Sequence, residues 1–339
     1  MKTDARGARA SRAATDYQPN APASEVARSA QGSDGRRLQT GDWAYFGGRL
    51  VPFAEANVSI ATHALNYGTA IFEGIRAYRQ DDGTLAILFA TEHYDRLLRN
   101  ARLLRASVPE TSAELVEITR QLLRRNGEVA DMYVRPLLYK AAHSLRLQLS
   151  DLDDQVAIFA FPLGDYVATD GLRVSVSAWQ RVNDNAVPAR GKITGSYVNA
   201  CMAVEDAHAG GYAEAILLSA DGHVAEASAA NIFLVRDGTI ATPPLADDVL
   251  PGITRGAVIT LARDAGYVVE ERKIDRTELY LADELFLTGT GAQVAPIASV
   301  DGRPCGEGAA FTVTTDLQER YFAAVRGRDP RYAAWLMPV

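Results

Sequence analysis

Three short stretches in one region decide the fold: Ser219-Ala220-Asp221-Gly222-His223-Val224, Val235-Arg236-Asp237-Gly238-Thr239-Ile240 and Leu250-Pro251-Gly252-Ile253-Thr254-Arg255. Asp-Gly between apolar runs is the strongest short-range hairpin signal, because the tight turn needs positive φ at its centre. Two hairpins therefore follow one another. Pro251-Gly252 then turns the chain into a helix that runs from Thr254 to Gly266. Hairpins followed by a helix are not the strict alternation of a doubly wound sheet.

The flanks read the same way. Tyr45 to Val51 makes a hairpin at Gly47-Gly48, and Thr84 to Ala90 is a strand. Residues 92–105 put Leu97, Leu98, Ala101 and Leu104 on one helical face. Thr111 and Glu114 have capping-box spacing, and the helix they open stops at Asn126-Gly127. Strands follow at 131–139 and 155–161. After them come a strand at 172–179, a helix at 196–209, a capping box at Asp275–Glu278, a strand at 284–288 and a helix over 309–325. The fold class is α+β. Its expected units are a disordered tail at 1–40, a small domain at 41–162, an interdomain loop at 163–171 and a larger domain at 172–339. The tail is rich in Ala, Arg, Ser, Gly and Pro and lacks the apolar side chains that would offset its ordering entropy.

Composition removes whole classes of function. The chain has 339 residues, 35 Lys+Arg against 42 Asp+Glu, and a net charge of −7. An acidic surface gives no general attraction to nucleic acid. No apolar run is long enough to span a bilayer. Cys201 and Cys305 are far apart and make no Cys-x-x-Cys, which argues against a disulfide scaffold and a cysteine zinc site and for a reducing, cytoplasmic home. The five histidines show no metal-ligand spacing, so no metal is expected.

Several local signals suit anions. The first N–H groups of the helix after Gly252 lack partners within the helix and suit a phosphate; the Thr254 hydroxyl can cap that helix or donate to the anion. Thr288-Gly289-Thr290-Gly291-Ala292 lets backbone N–H groups approach an anion closely. Lys192 lies in a loop of small residues, where it is either solvated or a Schiff-base lysine. Glu226 stands in an apolar run and needs a partner, as a salt bridge or as the counter-charge of a protonated heterocycle. Tyr133 and Arg135 share a strand face and suit a carboxylate; the alternative is a surface pair on an edge strand, for which Pro136 speaks.

Thr62-His63-Ala64-Leu65-Asn66-Tyr67-Gly68-Thr69-Ala70-Ile71-Phe72-Glu73-Gly74-Ile75-Arg76-Ala77-Tyr78 resembles the signature of branched-chain amino acid aminotransferases, which are fold-type IV enzymes using pyridoxal 5′-phosphate (PLP). The resemblance continues through Glu92 to Leu97, Tyr133 to Pro136, Lys192 to Asn199, Gly222 to Phe233, Leu250 to Arg255 and Thr288 to Ala292, covering about residues 42–325. It implies a small α/β domain and a larger pseudo-barrel α/β domain. The implied reaction moves an amino group from an aliphatic L-amino acid to 2-oxoglutarate, in a homo-oligomer with shared active sites.

The resemblance also implies roles. Lys192 would carry the cofactor and move the proton at the substrate Cα. Glu226 would pair with the ring nitrogen and Tyr197 with the ring oxygen. Arg96, Ile253, Thr254 and Thr290 would hold the phosphate. Gly291, Ala292 and Tyr133 would hold the α-carboxylate, and Arg135 the distal carboxylate of glutamate. Tyr67, Phe72, Gly74 and Tyr166 would line the side-chain pocket. The sequence departs from the family pattern at Leu163, where many relatives carry Trp, in the glycine-poor stretch Lys140 to Leu147, and in Glu226 to Asn231, which replaces a more glycine-rich, glutamate-containing version. These departures bear on the substrate and not on the cofactor. The rival readings are a D-amino-acid aminotransferase, an (R)-amine transaminase, an aminodeoxychorismate lyase, or an inactive binding or scaffold relative. The retained Lys192 and Glu226 speak against the last.

Overall fold

The computed structural model describes residues 40–127, 130–164, 171–306 and 311–339. The expected tail, Tyr166 and most of the interdomain loop lie outside the described residues. Two sheets organise the rest. The first is built from β1 (Trp43–Phe46), β2 (Arg49–Pro52), β3 (Ala70–Phe72), β4 (Ile75–Arg79), β5 (Leu85–Leu88), β6 (Met132–Lys140) and β7 (Asp154–Pro162). The second is built from β8 (Leu172–Gln180), β9 (Glu214–Leu218), β10 (Val224–Ala227), β11 (Asn231–Arg236), β12 (Thr239–Thr242), β13 (Val268–Glu271), β14 (Glu284–Gly289), β15 (Gln293–Val300) and β16 (Arg303–Pro304). A last strand, β17 (Leu336–Pro338), returns to pair with β5 of the first sheet.

The helices are α1 (His63–Tyr67), α2 (Ala90–Ala101), α3 (Ser112–Asn126), α4 (Tyr197–Ala209), α5 (Ile253–Asp264) and α6 (Thr312–Val325). The hairpins fall where Gly47-Gly48, Asp221-Gly222 and Asp237-Gly238 put them. Both capping boxes form. Thr111 accepts from the Glu114 N–H and the Glu114 carboxylate accepts from the Thr111 N–H, so two orphan amides at the start of α3 are satisfied reciprocally.

The second sheet runs β10-β9-β8-β15-β14-β11-β12-β13 and mixes parallel with antiparallel pairs. Its two ends curl towards one another. Beyond β13 the chain reaches Ile274, whose carbonyl accepts from the Val224 N–H of β10, and His223 bridges Asp275. That contact makes the pseudo-barrel. Its interior is an apolar cluster that includes Leu172, Val174, Ile216, Ile232, Leu285 and Ile297. A second cluster joins the two sheets: Tyr78, Leu88 and Phe89 from the first pack with Phe233 and Phe286, whose rings stack 4.9 Å apart, and with α5 and α6.

The structure corrects two readings. Pro136 does not mark an edge: β6 is central, with β7 on one side and β4 and β3 on the other. β4 pairs with β6 as far as Val134 and β3 takes over at Leu137, so Pro136 fills a gap where no N–H is required. Pro296 is accommodated within β15 in the same way, since β8 begins to pair only at Ile297. The second correction concerns Thr254, which is not the cap of α5; Gly252 is, and no side chain caps that helix.

Thr111→Ala should cost about 1 kcal/mol of stability by freeing amides at the start of α3. The check is urea unfolding, with a lower midpoint at unchanged m-value.

Candidate active site

The site lies where the first sheet and α2 face the open ends of the second sheet. Lys192 sits between two short 3-10 turns, with φ of 50°. A lysine in the left-handed region is held there by its surroundings. Its carbonyl accepts from the Phe72 N–H, and Ile193 bridges Ile71, so β3 fixes the loop. Gly68 and Gly195 pack so closely that a Cβ on Gly68 would lie 2.6 Å from the Gly195 Cα. The result is a lysine whose Nζ donates to the Tyr197 hydroxyl at 3.2 Å and stands 4.8 Å from the centre of the Phe72 ring.

Glu226 on β10 is buried beside this lysine in a narrow cavity that it shares with Arg96, Tyr197, Ile253, Thr254 and Thr290. Arg181 donates to its Oε1 at 2.8 and 2.9 Å, and Asn231 and the Leu250 N–H donate to its Oε2 at 3.0 and 3.1 Å. Burial pushes the Glu226 pKa up, and the guanidinium and the Leu250 amide pull against it. Asn231 also donates to the Leu250 carbonyl. It stands so close to Gly252 that a Cβ there would lie 2.0 Å from its Oδ1. The start of α5 is thereby pinned against β11. In α5 the Gly256 N–H donates to the Gly252 carbonyl. By helix geometry the amides of Ile253 and Thr254 precede the first intrahelical bond and point out of the helix end into the cavity.

Arg96 reaches the same cavity from α2. Its Nε and one terminal nitrogen donate to the two Glu73 oxygens, both at 2.7 Å, and its other terminal nitrogen donates to the Pro251 carbonyl at 2.6 Å. His93 Nδ1 lies 2.8 Å from Glu73 Oε2. The Arg96 guanidinium and the hydrogen bonds from His93 and Arg96 hold the Glu73 carboxyl well below the usual range despite complete burial, and burial pushes His93 down.

A wider cavity of about 510 Å³ opens next door, lined by Phe72, Arg76, Tyr133, Arg135, Leu163, Glu214, Gly291 and Ala292 among others. Arg135 donates to the Tyr133 hydroxyl at 3.1 Å and lies 4.6 Å from the centre of the Phe72 ring. Gly74 lies beneath that hydroxyl, where a Cβ would come within 2.0 Å of it. Glu214 accepts from Ser228, and burial raises its pKa. Two buried polar atoms in these cavity walls have no partner among the described residues: Arg135 Nε and Thr288 Oγ1.

The structure therefore brings together Lys192, Arg96, Tyr197, Glu226, Ile253, Thr254, Thr290, Phe72, Gly74, Tyr133, Arg135, Gly291 and Ala292. Tyr67 stands apart. It is exposed on α1, with its hydroxyl donating to the Leu145 carbonyl. Sequence reasoning assigns no role to Glu73, Arg76, His93, Arg181, Asn231 or Thr288. For the first two a signal exists. Both flank Gly74 within the apolar run Ala70 to Tyr78, and charge in such a run demands a partner.

Known proteins carry the same arrangement of chain. A family model for amino-transferase class IV matches residues 70–300. A probable branched-chain-amino-acid aminotransferase of Aquifex aeolicus is 48% identical over 301 residues, 88% of this chain and 97% of the relative. The crystal structure of a branched-chain aminotransferase from Thermoproteus uzoniensis with norvaline superposes with a TM-score of 0.84 at 41% identity, covering 88% of this chain and 99% of that one. That of a branched-chain amino acid aminotransferase from Thermobaculum terrenum in its PLP form gives a TM-score of 0.85 at 36% identity, covering 89% of this chain and 99% of that one. With fold, site geometry and relatives in agreement, this chain belongs to the class IV aminotransferases.

Proposed function

We propose that the protein catalyses PLP-dependent transamination between an aliphatic, branched-chain L-amino acid and 2-oxoglutarate, giving the 2-oxo acid and L-glutamate. One observation carries this reading: Lys192, Tyr197, Glu226, Arg96 and the start of α5 share one cavity, and it adjoins a second that holds Arg135. The names of the relatives point to the same activity.

The donor set fits the cofactor. Arg96, the amides of Ile253 and Thr254, and the Thr290 hydroxyl suit a phosphate. Glu226 supplies a buried negative charge for the ring nitrogen. When bound, the pyridoxal ring supplies an electron sink for charge leaving the substrate α-carbon. The chain's own part is positioning and proton transfer. Lys192 Nζ anchors the cofactor and then acts as base and acid at the substrate Cα. Tyr197, one hydrogen bond from Nζ, would hold the ring oxygen. The amides of Gly291 and Ala292 and the Tyr133 hydroxyl take the α-carboxylate.

One pocket must accept both leucine and glutamate. Arg135 fits that demand because Phe72 and Tyr133 hold its guanidinium, with no counter-ion among the described residues. An aliphatic side chain then meets an apolar wall, and a distal carboxylate meets the guanidinium where it lines the cavity. Leu163, in place of a larger ring, widens that wall.

The two domains divide at residues 163–171, and Tyr166 is assigned to the pocket from the sequence alone. The functional unit is a dimer or larger. Ile60, Leu65, Leu145 and Leu147 are all exposed around Tyr67, and an apolar groove runs beside them past Phe46, Phe53 and Leu137. A second copy covering that face would bury Tyr67 with it. Among the described residues no helix is long and apolar enough to cross a membrane. The free Cys201 and Cys305 support a cytoplasmic location.

Titrating the PLP-loaded protein with L-leucine should convert its visible absorption to that of the amine form, and D-alanine should not. Conversion by D-alanine alone would overturn the L-specific reading, and absence of any lysine-bound visible band would overturn the role of Lys192. Arg135→Met should raise KM for glutamate about tenfold or more while leaving leucine within about threefold, since one charge-assisted bond is lost. Equal losses would remove Arg135 from the distal site. Gly74→Ala should displace the Tyr133 hydroxyl and raise KM for amino and 2-oxo acids alike by about tenfold, measured in both half-reactions.

A further inference from the structure

We propose that Glu73 is the positioning residue of the phosphate site: it locks the Arg96 fork so that its remaining N–H groups face the start of α5. The inference rests on the assignment of this cavity to PLP and concerns Glu73 and His93, to which that assignment gives no role.

The geometry is specific. Glu73 lies between β3 and β4, fully buried, and its own N–H donates to the Pro136 carbonyl in the gap of β6. Its two oxygens take the Nε edge of Arg96 in the planar, bidentate manner that fixes a guanidinium in orientation as well as place. Arginine has five N–H groups. Two are spent on Glu73 and one on the Pro251 carbonyl, next to the cap of α5. The remaining two, one on each terminal nitrogen, are left for the cavity that holds Ile253, Thr254 and Thr290. His93, from the same helix as Arg96, bonds Glu73 Oε2 from the other side, so the carboxylate cannot turn.

The pairing has an electrostatic consequence. Arg96 without Glu73 would be a buried, mobile cation. Paired, the two cancel at a distance, and what the phosphate meets is a directed pair of donors and not a diffuse positive charge. Selectivity for the phosphate end then comes from geometry shared by α2, the β3–β4 link and α5. Three segments far apart in sequence are tied at one point, Arg96.

The test compares PLP with pyridoxal, which lacks the phosphate, as ligands of protein stripped of cofactor. Wild-type protein should bind PLP far more tightly. Glu73→Gln keeps the shape but turns one acceptor into a donor against Arg96. It should weaken PLP about tenfold or more and pyridoxal by less than about threefold. Because an unpaired Arg96 can prevent folding, the second arm removes both charges. Glu73→Gln combined with Arg96→Met should bind PLP no worse than Arg96→Met alone. A loss shared equally by PLP and pyridoxal, or a further loss of PLP in the double variant, would overturn the positioning role and make Glu73 a scaffold residue. Wild-type protein that binds PLP no better than pyridoxal would overturn the phosphate assignment itself.

Discussion

Charge buried between the two sheets has to find partners, and the way it does so arranges the site. Arg76 is the clearest case. It leaves β4, is almost wholly buried, and donates to four backbone carbonyls, those of Thr290, Leu163, Gly164 and Gly291. Two of these belong to the turn after β14 and two to the chain leaving β7. A guanidinium that spends its donors on carbonyls orients the peptide units that bear them, and Gly291 and Ala292 line the wide cavity as part of that turn. Two of these four bonds cross from the first sheet to the second, so the guanidinium ties the sheets together at the cavity.

The same logic explains which residues can be read from sequence. Hairpins and helix ends are local events, decided by Gly, Asp-Gly and capping pairs within a few residues. They are legible at Gly47-Gly48, Thr111–Glu114, Asp237-Gly238 and Asp275–Glu278. Central strands broken by proline are not. Pro136 and Pro296 each sit where a neighbouring strand has not begun or has just ended, and only the sheet order shows that. The curling of the second sheet also depends on a long-range bond, Val224 to Ile274, that no local pattern announces.

For the site, the anion-binding parts are visible because each combines glycine with a hydroxyl or a cation in a short span. Their partners are not visible, because they lie elsewhere in the chain. Arg181 is 45 residues from Glu226, and Asn231 acts on both Glu226 and the start of α5. A reading by motif finds the groups that would touch a ligand. It misses the residues that hold those groups at fixed orientation, since these are recognisable only by burial and pairing. Tyr67 shows the opposite limit: its place in the signature is clear, yet in a single chain it faces outward.

Charge counted over the whole chain also misleads about the site. The protein is acidic, with net charge −7. Among the described residues, the two cavities and their immediate supports hold five cations, Arg76, Arg96, Arg135, Arg181 and Lys192, against three carboxylates, Glu73, Glu226 and Glu214. Burial favours the neutral form of Glu214, which enlarges the surplus. Three of the groups proposed to bind there are anionic: a phosphate, an α-carboxylate and a distal carboxylate. An acidic exterior around a cationic interior focuses the field where the walls exclude water. Anionic substrates are therefore bound by paired and oriented donors at the bottom of the cleft, and the surface does little to collect them. Such a site discriminates by where its donors point, so the residues that aim Arg96, Arg135 and the Gly291 turn matter as much as those that touch the substrate.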